Sequence, residues 1–179
     1  GDSLKKIGGL TKRREEGLPL ASLVLSRILS YSELKKVFFS GNGLREGILY
    51  DQLDKVESQL DPLIEGALRI SLKSGSSSIF IEEIKEWVKP LSDQSIDNRL
   101  INTVCILSNI GLSVVANSPP HIIASIVLYS PLVGVTHQER AFIAQSISYR
   151  YGGRGLALKY KHLLNENYDK YSKKLGKAL

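Results

Sequence analysis

A glycine-containing turn near the start of the chain is the clearest candidate for chemistry. Its three residues are Gly41, Asn42 and Gly43. The turn joins a predicted strand, residues 35–40, to a helix predicted to begin at Leu44. This arrangement directs backbone N–H groups and the positive end of the helix dipole towards an anion. Arg45 adds a guanidinium that can contact a phosphate through two hydrogen bonds. The alternative is an ordinary tight turn, with Arg45 and Glu46 in structural ion pairs.

The net charge of +6 identifies a second candidate at the other end of the chain. Residues 1–149 contain sixteen Lys and Arg and sixteen Asp and Glu, whereas residues 150–179 contain eight and two. A row of phosphates could bind to such a segment, with an affinity that falls as salt rises. The candidate contacts are Arg150, Arg154, Lys170, Lys173, Lys174 and Lys177. The alternative is a solvated basic face that only aids solubility.

Apolar and aromatic residues recur through the same tail at intervals of three and four. They are Tyr160, Leu164, Tyr168, Tyr171, Leu175 and Leu179. This spacing predicts one helix that docks along the stripe and turns its lysines towards solvent or a polyanion.

The other chemistry-bearing side chains favour structural roles. A metal-dependent phosphohydrolase centre needs clustered His and Asp ligands. The chain has three histidines, His121, His137 and His162, and the first two each begin a predicted helix, where a capped or solvated surface histidine is expected. Cys105 has no obvious base and is expected to be a buried thiol. Trp87 lies at helical spacing from Phe80 and Ile84, which favours packing over stacking on a base. We therefore predict no catalytic residue and no metal site in this chain.

Composition limits the class of protein that positions these residues. A chain of 179 residues with 42% hydrophobic and 23% charged residues is long enough for one sizeable core and has ordinary globular usage. A single cysteine excludes a disulfide framework and fits a reducing compartment, so a cytoplasmic protein is expected. Apolar runs long enough to span a membrane and a signal-peptide pattern are both missing from the sequence.

Hydrophobic periodicity predicts one strand followed by a series of helices. The helices are expected over residues 18–29, 44–53, 60–72, 79–88 and 97–115, and in two later segments. One of these later helices is expected to open with Ser118 as a cap before two prolines. The other begins with a capping box formed by Thr136 and Glu139 and runs through Tyr149. Because a lone strand needs partners, residues 1–50 are interpreted as the end of a larger α/β domain.

Four segments resemble the Ppx/GppA phosphatases, the family of exopolyphosphatases and guanosine-pentaphosphate phosphatases. Residues 40–53, SGNGLREGILYDQL, and the preceding residues 7–20 are similar to that family around the same strand. Residues 107–111 lie where members have a Leu-His-Asp-Ile-Gly-like sequence, and residues 149–153 lie where members have an aromatic-Arg-Tyr segment. The resemblance therefore covers nearly the whole chain.

The resemblance implies a mainly α fold. Residues 1–50 would be the terminal strand and helix of the second lobe of an actin-like (acetate and sugar kinase type) α/β core. Residues 51–179 would be an all-helical, degenerate HD-like domain with a basic C-terminal helix. Ser108 and Asn109 stand where a His-Asp pair is expected, and neither is a competent replacement in a metal site.

The resemblance also implies a function. The whole protein would be an exopolyphosphatase-like hydrolase that releases terminal phosphate from inorganic polyphosphate, with guanosine pentaphosphate as a further candidate substrate. Its catalytic residues and its Mg²⁺ would belong to the core upstream, so this chain alone would be inactive. The helical domain would bind and guide polyphosphate and support a homodimer. Two alternatives remain. One is a nucleic-acid-binding or interaction module that uses the basic tail, which is disfavoured because the sequence contains no recognised nucleic-acid motif and the tyrosines of the tail lie on a packing stripe. The other is a domain that serves only for dimerisation.

Overall fold

The computed structural model describes residues 10–37, 41–91, 94–112 and 118–179. Within these ranges the secondary structure is helical, with no strand. The α-helices are α1 (Lys12–Ser32), α2 (Leu44–Asp51), α3 (Pro62–Lys73), α4 (Ser78–Val88), α5 (Asn98–Leu107), α6 (Pro120–Tyr129), α7 (His137–Arg150), α8 (Leu158–Lys161) and α9 (Glu166–Ala178). Short 3-10 helices cover Glu57–Gln59, Lys89–Leu91 and Ile110–Leu112. None of the helices in these ranges is both long and apolar enough to cross a bilayer.

The chain divides into two compact units, Gly1–Gln52 and Leu53–Leu179. The first unit contains α1 and α2, and neither helix has a buried residue within the described part of the chain. Helix α1 begins at Lys12, earlier than predicted, so Pro19 lies inside the helix instead of near its start. The predicted strand is not found over residues 35–37, where the described residues offer no partner strand. Residues 38–40 of that prediction lie outside the described residues.

Helix α7 is the centre of the second unit. Eight of its fourteen residues are buried, and it packs against α5, α6 and α9. The predicted capping box is confirmed, since the Thr136 N–H donates to Glu139 Oε2 at 2.7 Å and the Glu139 N–H donates to Thr136 Oγ1 at 3.2 Å. Small side chains such as Ala141 and Ala144 allow the surrounding helices to approach closely.

Two arginines tie the other helices of this unit together. Asp61 caps α3 through the Leu63 N–H at 2.9 Å and accepts hydrogen bonds from Arg99, which also donates to the Gly134 carbonyl at 2.7 Å. The Arg99 guanidinium lowers the pKa of the Asp61 carboxyl. Arg140 donates to three carbonyls at the end of α6 and in the loop that follows, those of Val127, Ser130 and Leu132. Both guanidiniums therefore have structural partners.

Two further predicted helix boundaries, both in the second unit, are wrong. Helix α5 ends at Leu107 instead of continuing to residue 115, because the Ser108 carbonyl and the Gly111 N–H both form hydrogen bonds with the Tyr151 hydroxyl. Residues 113–117 of that prediction lie outside the described residues. Helix α6 begins at Pro120, so Pro119 takes the N-cap position that was expected for Ser118 and makes no side-chain capping bond.

Candidate functional site

Helix α9 separates an apolar face from a basic face. Its buried side is formed by Tyr171, Ser172, Leu175 and Gly176. The four predicted lysines are all exposed, namely Lys170, Lys173, Lys174 and Lys177. At about 100° of rotation per residue, these lysines fall in one sector opposite the buried side and extend over about 10 Å of helix. We call these four residues the lysine row.

The tail is two helices instead of the single helix predicted. Asn165 starts a new helix, because its side-chain oxygen accepts the Tyr168 N–H at 2.7 Å. Tyr160 therefore belongs to α8, and Leu164 lies in the connection. Both residues are still partly buried against the core, as are Tyr168 and Leu179. The docking stripe is confirmed although its continuity is not.

Helix α9 is held against α7 by contacts that sequence reasoning missed. Gln145 is buried, and its Nε2 donates to Asp169 Oδ1 at 2.8 Å and to Ser172 Oγ at 2.9 Å. Gly176 lies so close to α7 that a Cβ atom there would be 2.2 Å from the Ser146 carbonyl oxygen. A polar glutamine and a glycine carry no hydrophobic signal, so periodicity could not identify them.

Helix α9 also contacts α4 and the 3-10 helix that follows α4. The Tyr171 hydroxyl donates to the Leu91 carbonyl at 2.7 Å, and Trp87 Nε1–H donates to the Ala178 carbonyl at 2.9 Å. Trp87 is nevertheless 67% exposed, so the expectation that it packs in the core is wrong. The reason is its position on α4, whose buried side is formed by Ile81 and Val88.

The positive charge of the lysine row is not compensated by ion pairs. No carboxylate in the described part of the chain pairs with any of the four ammonium groups. In contrast, Lys85 on α4 and Lys89 at the start of the following 3-10 helix pair with α4 glutamates one turn away, at 2.7 and 3.1 Å. Lys174 extends over the ring of Tyr171, 5.8 Å from its centroid. An anion could therefore bind the row without displacing an acidic side chain.

Arg150 and Arg154 follow the core of α7. Because Gly176 contacts Ser146 and Tyr149, the last turn of α7 lies beside the last turn of α9. Arg150 is therefore at the same end of this helix pair as the final residues of the lysine row. Its Nε is buried and has no acceptor among the described residues, whereas Arg154 is exposed.

The glycine turn belongs to the first unit. Arg45 and the residues of the turn are exposed. The Gly43 N–H donates to Glu46 Oε2 at 2.7 Å, so a carboxylate already occupies one of the amides expected to bind an anion. The binding roles of Gly41, Asn42, Gly43 and Arg45 remain predictions.

The two segments that carry the family resemblance in the helical domain meet in the structure. The Tyr151 hydroxyl donates to the Ser108 carbonyl and accepts the Gly111 N–H, each at 2.9 Å. Burial raises the pKa of this tyrosine. The Ser108 hydroxyl is buried and has no hydrogen-bond partner within the described ranges. The three histidines are exposed, and the described residues contain no group of three His, Cys, Asp or Glu that could hold a metal.

Cys105 is fully buried, and desolvation raises the pKa of its thiol to about 12. Because the thiolate is the reactive form, we expect no reaction with a disulfide reagent such as Ellman's reagent at pH 8 in the folded protein. One thiol should become reactive in denaturant. Rapid labelling without denaturant would contradict the observed burial.

The comparison with known families identifies the part of the chain that contains these features. The family described as "Exopolyphosphatase, C-terminal" matches residues 87–179, which is just over half of the chain. The matched region begins at Trp87 and includes Tyr151, α7 and the lysine row on α9. The chain therefore belongs to the exopolyphosphatase family through its C-terminal domain.

Proposed function

We propose that the helical unit binds inorganic polyphosphate along the lysine row and guides it for an exopolyphosphatase-like hydrolase. The observation that carries this proposal is a set of four exposed lysines without acidic partners in the described residues, on a helix whose opposite face is docked. Lysine ammonium groups act as mobile point charges that suit a flexible polymer of phosphates. In this proposal Arg150, at the end of the helix pair, and the exposed Arg154 supply further phosphate contacts.

The phosphate-releasing reaction belongs in this proposal to an actin-like core in the longer protein. There, a metal ion would assist the attack of water on the terminal phosphoanhydride, and guanosine pentaphosphate is a further candidate substrate. The residues described in this chain do not fit Mg²⁺, which prefers several oxygen ligands in octahedral geometry. They contain no group of three His, Cys, Asp or Glu side chains that could hold a metal ion, and Ser108 and Asn109 supply no carboxylate. The proposed contribution of the helical unit is binding and orientation.

Homodimerisation and a cytoplasmic location complete the proposal. The single cysteine, Cys105, is compatible with a reducing compartment. Sedimentation of the full 179-residue chain over a range of concentrations tests the dimer, and a monomer at all concentrations would contradict that part of the proposal.

Neutralising the lysine row should abolish most polyphosphate binding. We expect the quadruple variant with glutamine at Lys170, Lys173, Lys174 and Lys177 to bind long-chain polyphosphate at least tenfold more weakly at low salt. The logarithm of the wild-type binding constant should fall linearly with the logarithm of salt concentration. The quadruple variant should lose about one unit of slope for each lysine that contacts a phosphate. Isothermal titration at several salt concentrations measures both quantities.

A charge-matched control separates the row from net charge. Glutamine at Lys12, Lys35, Lys55 and Lys73, which are exposed and form no ion pair among the described residues, removes the same number of positive charges and should leave the affinity within about threefold of the wild type. Equal losses of polyphosphate affinity in the two variants would mean that net charge, and not the position of the lysine row, determines binding. Failure of the wild type to bind polyphosphate at low salt would overturn the guiding role.

A further inference from the structure

Trp87 combines exposure with a fixed position. The residue is 67% exposed, whereas its Nε1–H is bonded to the Ala178 carbonyl at 2.9 Å. That hydrogen bond joins the indole to the last turn of α9 while its backbone is held in α4. An indole held at its polar edge keeps its apolar surface available to a ligand.

The same hydrogen bond places Trp87 beside the lysine row. Ala178 directly follows Lys177 and lies one helical turn after Lys174. Lys174 leans over the ring of Tyr171, whose hydroxyl contacts the segment that follows α4. The exposed aromatic ring and the C-terminal half of the lysine row therefore form one continuous surface.

We propose that Trp87 and the lysine row together bind single-stranded nucleic acid. Sequence-tolerant binding of a single strand needs an aromatic ring on which a base stacks and a row of cations that follows the phosphates. Both are present here, and the row, about 10 Å long, is long enough for about two successive phosphates of a strand. Inorganic polyphosphate has no base, so the exposed ring is a feature that polyphosphate binding leaves unused.

The acidic residues beside Trp87 reduce the positive charge of this surface but do not neutralise it. Glu86 precedes Trp87 and is paired with Lys89 at 3.1 Å. Glu83 lies one turn earlier on α4 and is exposed. The lysine row carries four positive charges and the Glu83 carboxylate, which has no cationic partner in the described ranges, carries one negative charge, so the surface remains favourable for a polyanion. The proposal shares the lysine row with the proposed function but does not require that polyphosphate be the substrate.

Trp87 is the only tryptophan in the chain, so its fluorescence reports directly on stacking. We expect oligouridylate to quench the emission of the full chain, and inorganic polyphosphate of equal charge to leave the emission nearly unchanged. In anisotropy titrations with labelled oligouridylate, Trp87→Leu should bind about tenfold more weakly. Trp87→Phe, which also loses the hydrogen bond but keeps a ring, should retain most of the affinity.

The outcomes separate this inference from the proposed function. Unchanged oligouridylate affinity in Trp87→Leu would overturn the stacking role, as would equal losses in the leucine and phenylalanine variants with intact helical circular dichroism. Polyphosphate binding without oligouridylate binding would overturn this inference and leave the proposed function standing. Oligouridylate binding without polyphosphate binding would do the reverse.

Discussion

Alanine at Gly176 should displace α9 from α7 and strongly destabilise the helical unit. A Cβ atom at this position would lie 2.2 Å from the Ser146 carbonyl oxygen and 2.7 Å from Tyr149 Cβ. The first contact is with backbone in the central helix, so a rotamer change cannot relieve it. The steric cost should be about 3 kcal/mol or more and should exceed the roughly 1 kcal/mol that alanine gains over glycine in a helix.

Urea unfolding, followed by circular dichroism, measures the loss. The emission of Trp87 should also change in Gly176→Ala, because movement of α9 breaks the bond between the indole and Ala178. Gly66→Ala is the matched control in α3, where the new Cβ would meet only the tip of Leu132 at 3.2 Å. That variant should stay within about 1 kcal/mol of the wild type. Equal stability of the two variants would contradict the tight contact between α7 and α9.

The order of the helices could be predicted because their signals are local. Thr136 and Glu139 lie three residues apart and satisfy each other's backbone groups, so the start of α7 needs no information from elsewhere. The sides of α9 follow from its own periodicity, which correctly exposes the lysine row and buries Tyr171 and Leu175. The start of α7 and the two sides of α9 match their predictions because the tertiary contacts favour the same arrangement as the local sequence.

The features that failed depend on distant residues. Helix α5 ends just before Ser108, whose carbonyl accepts a hydrogen bond from the Tyr151 hydroxyl far along the chain. The same hydroxyl accepts a hydrogen bond from the Gly111 N–H. Trp87 is exposed because it lies off the buried side of α4, and its partner Ala178 is 91 residues away. The central position of α7 in the core could not be predicted from hydrophobicity, because its buried residues include the polar Gln145, Ser146 and Ser148. A polar pattern in sequence is ambiguous until the partners of its polar groups are known.

Gln145 is a buried polar residue with three hydrogen-bond partners, and we expect its removal to be the second most damaging change. Its Nε2 bonds to Asp169 and Ser172 on α9, and its Oε1 accepts the Leu156 N–H at 3.3 Å. Gln145→Ala leaves that buried N–H without an acceptor and opens a cavity between α7 and α9. The expected loss is about 3 kcal/mol in urea unfolding. Gln138→Ala, on the half-buried first turn of the same helix, should cost less than about 1 kcal/mol.

Gln145→Glu distinguishes a hydrogen-bonding role from simple filling of space. This variant keeps the size of the side chain and an acceptor for Leu156, but it directs a second carboxylate at Asp169. Burial and the like charge should raise the pKa of the introduced carboxyl in the folded state above its unfolded value. The folded protein then binds more protons than the unfolded one, so the variant should be least stable at neutral pH and should recover relative to the wild type as the pH falls. A loss that does not change with pH would contradict the role of the donor, since a space-filling residue has no reason to respond to protonation.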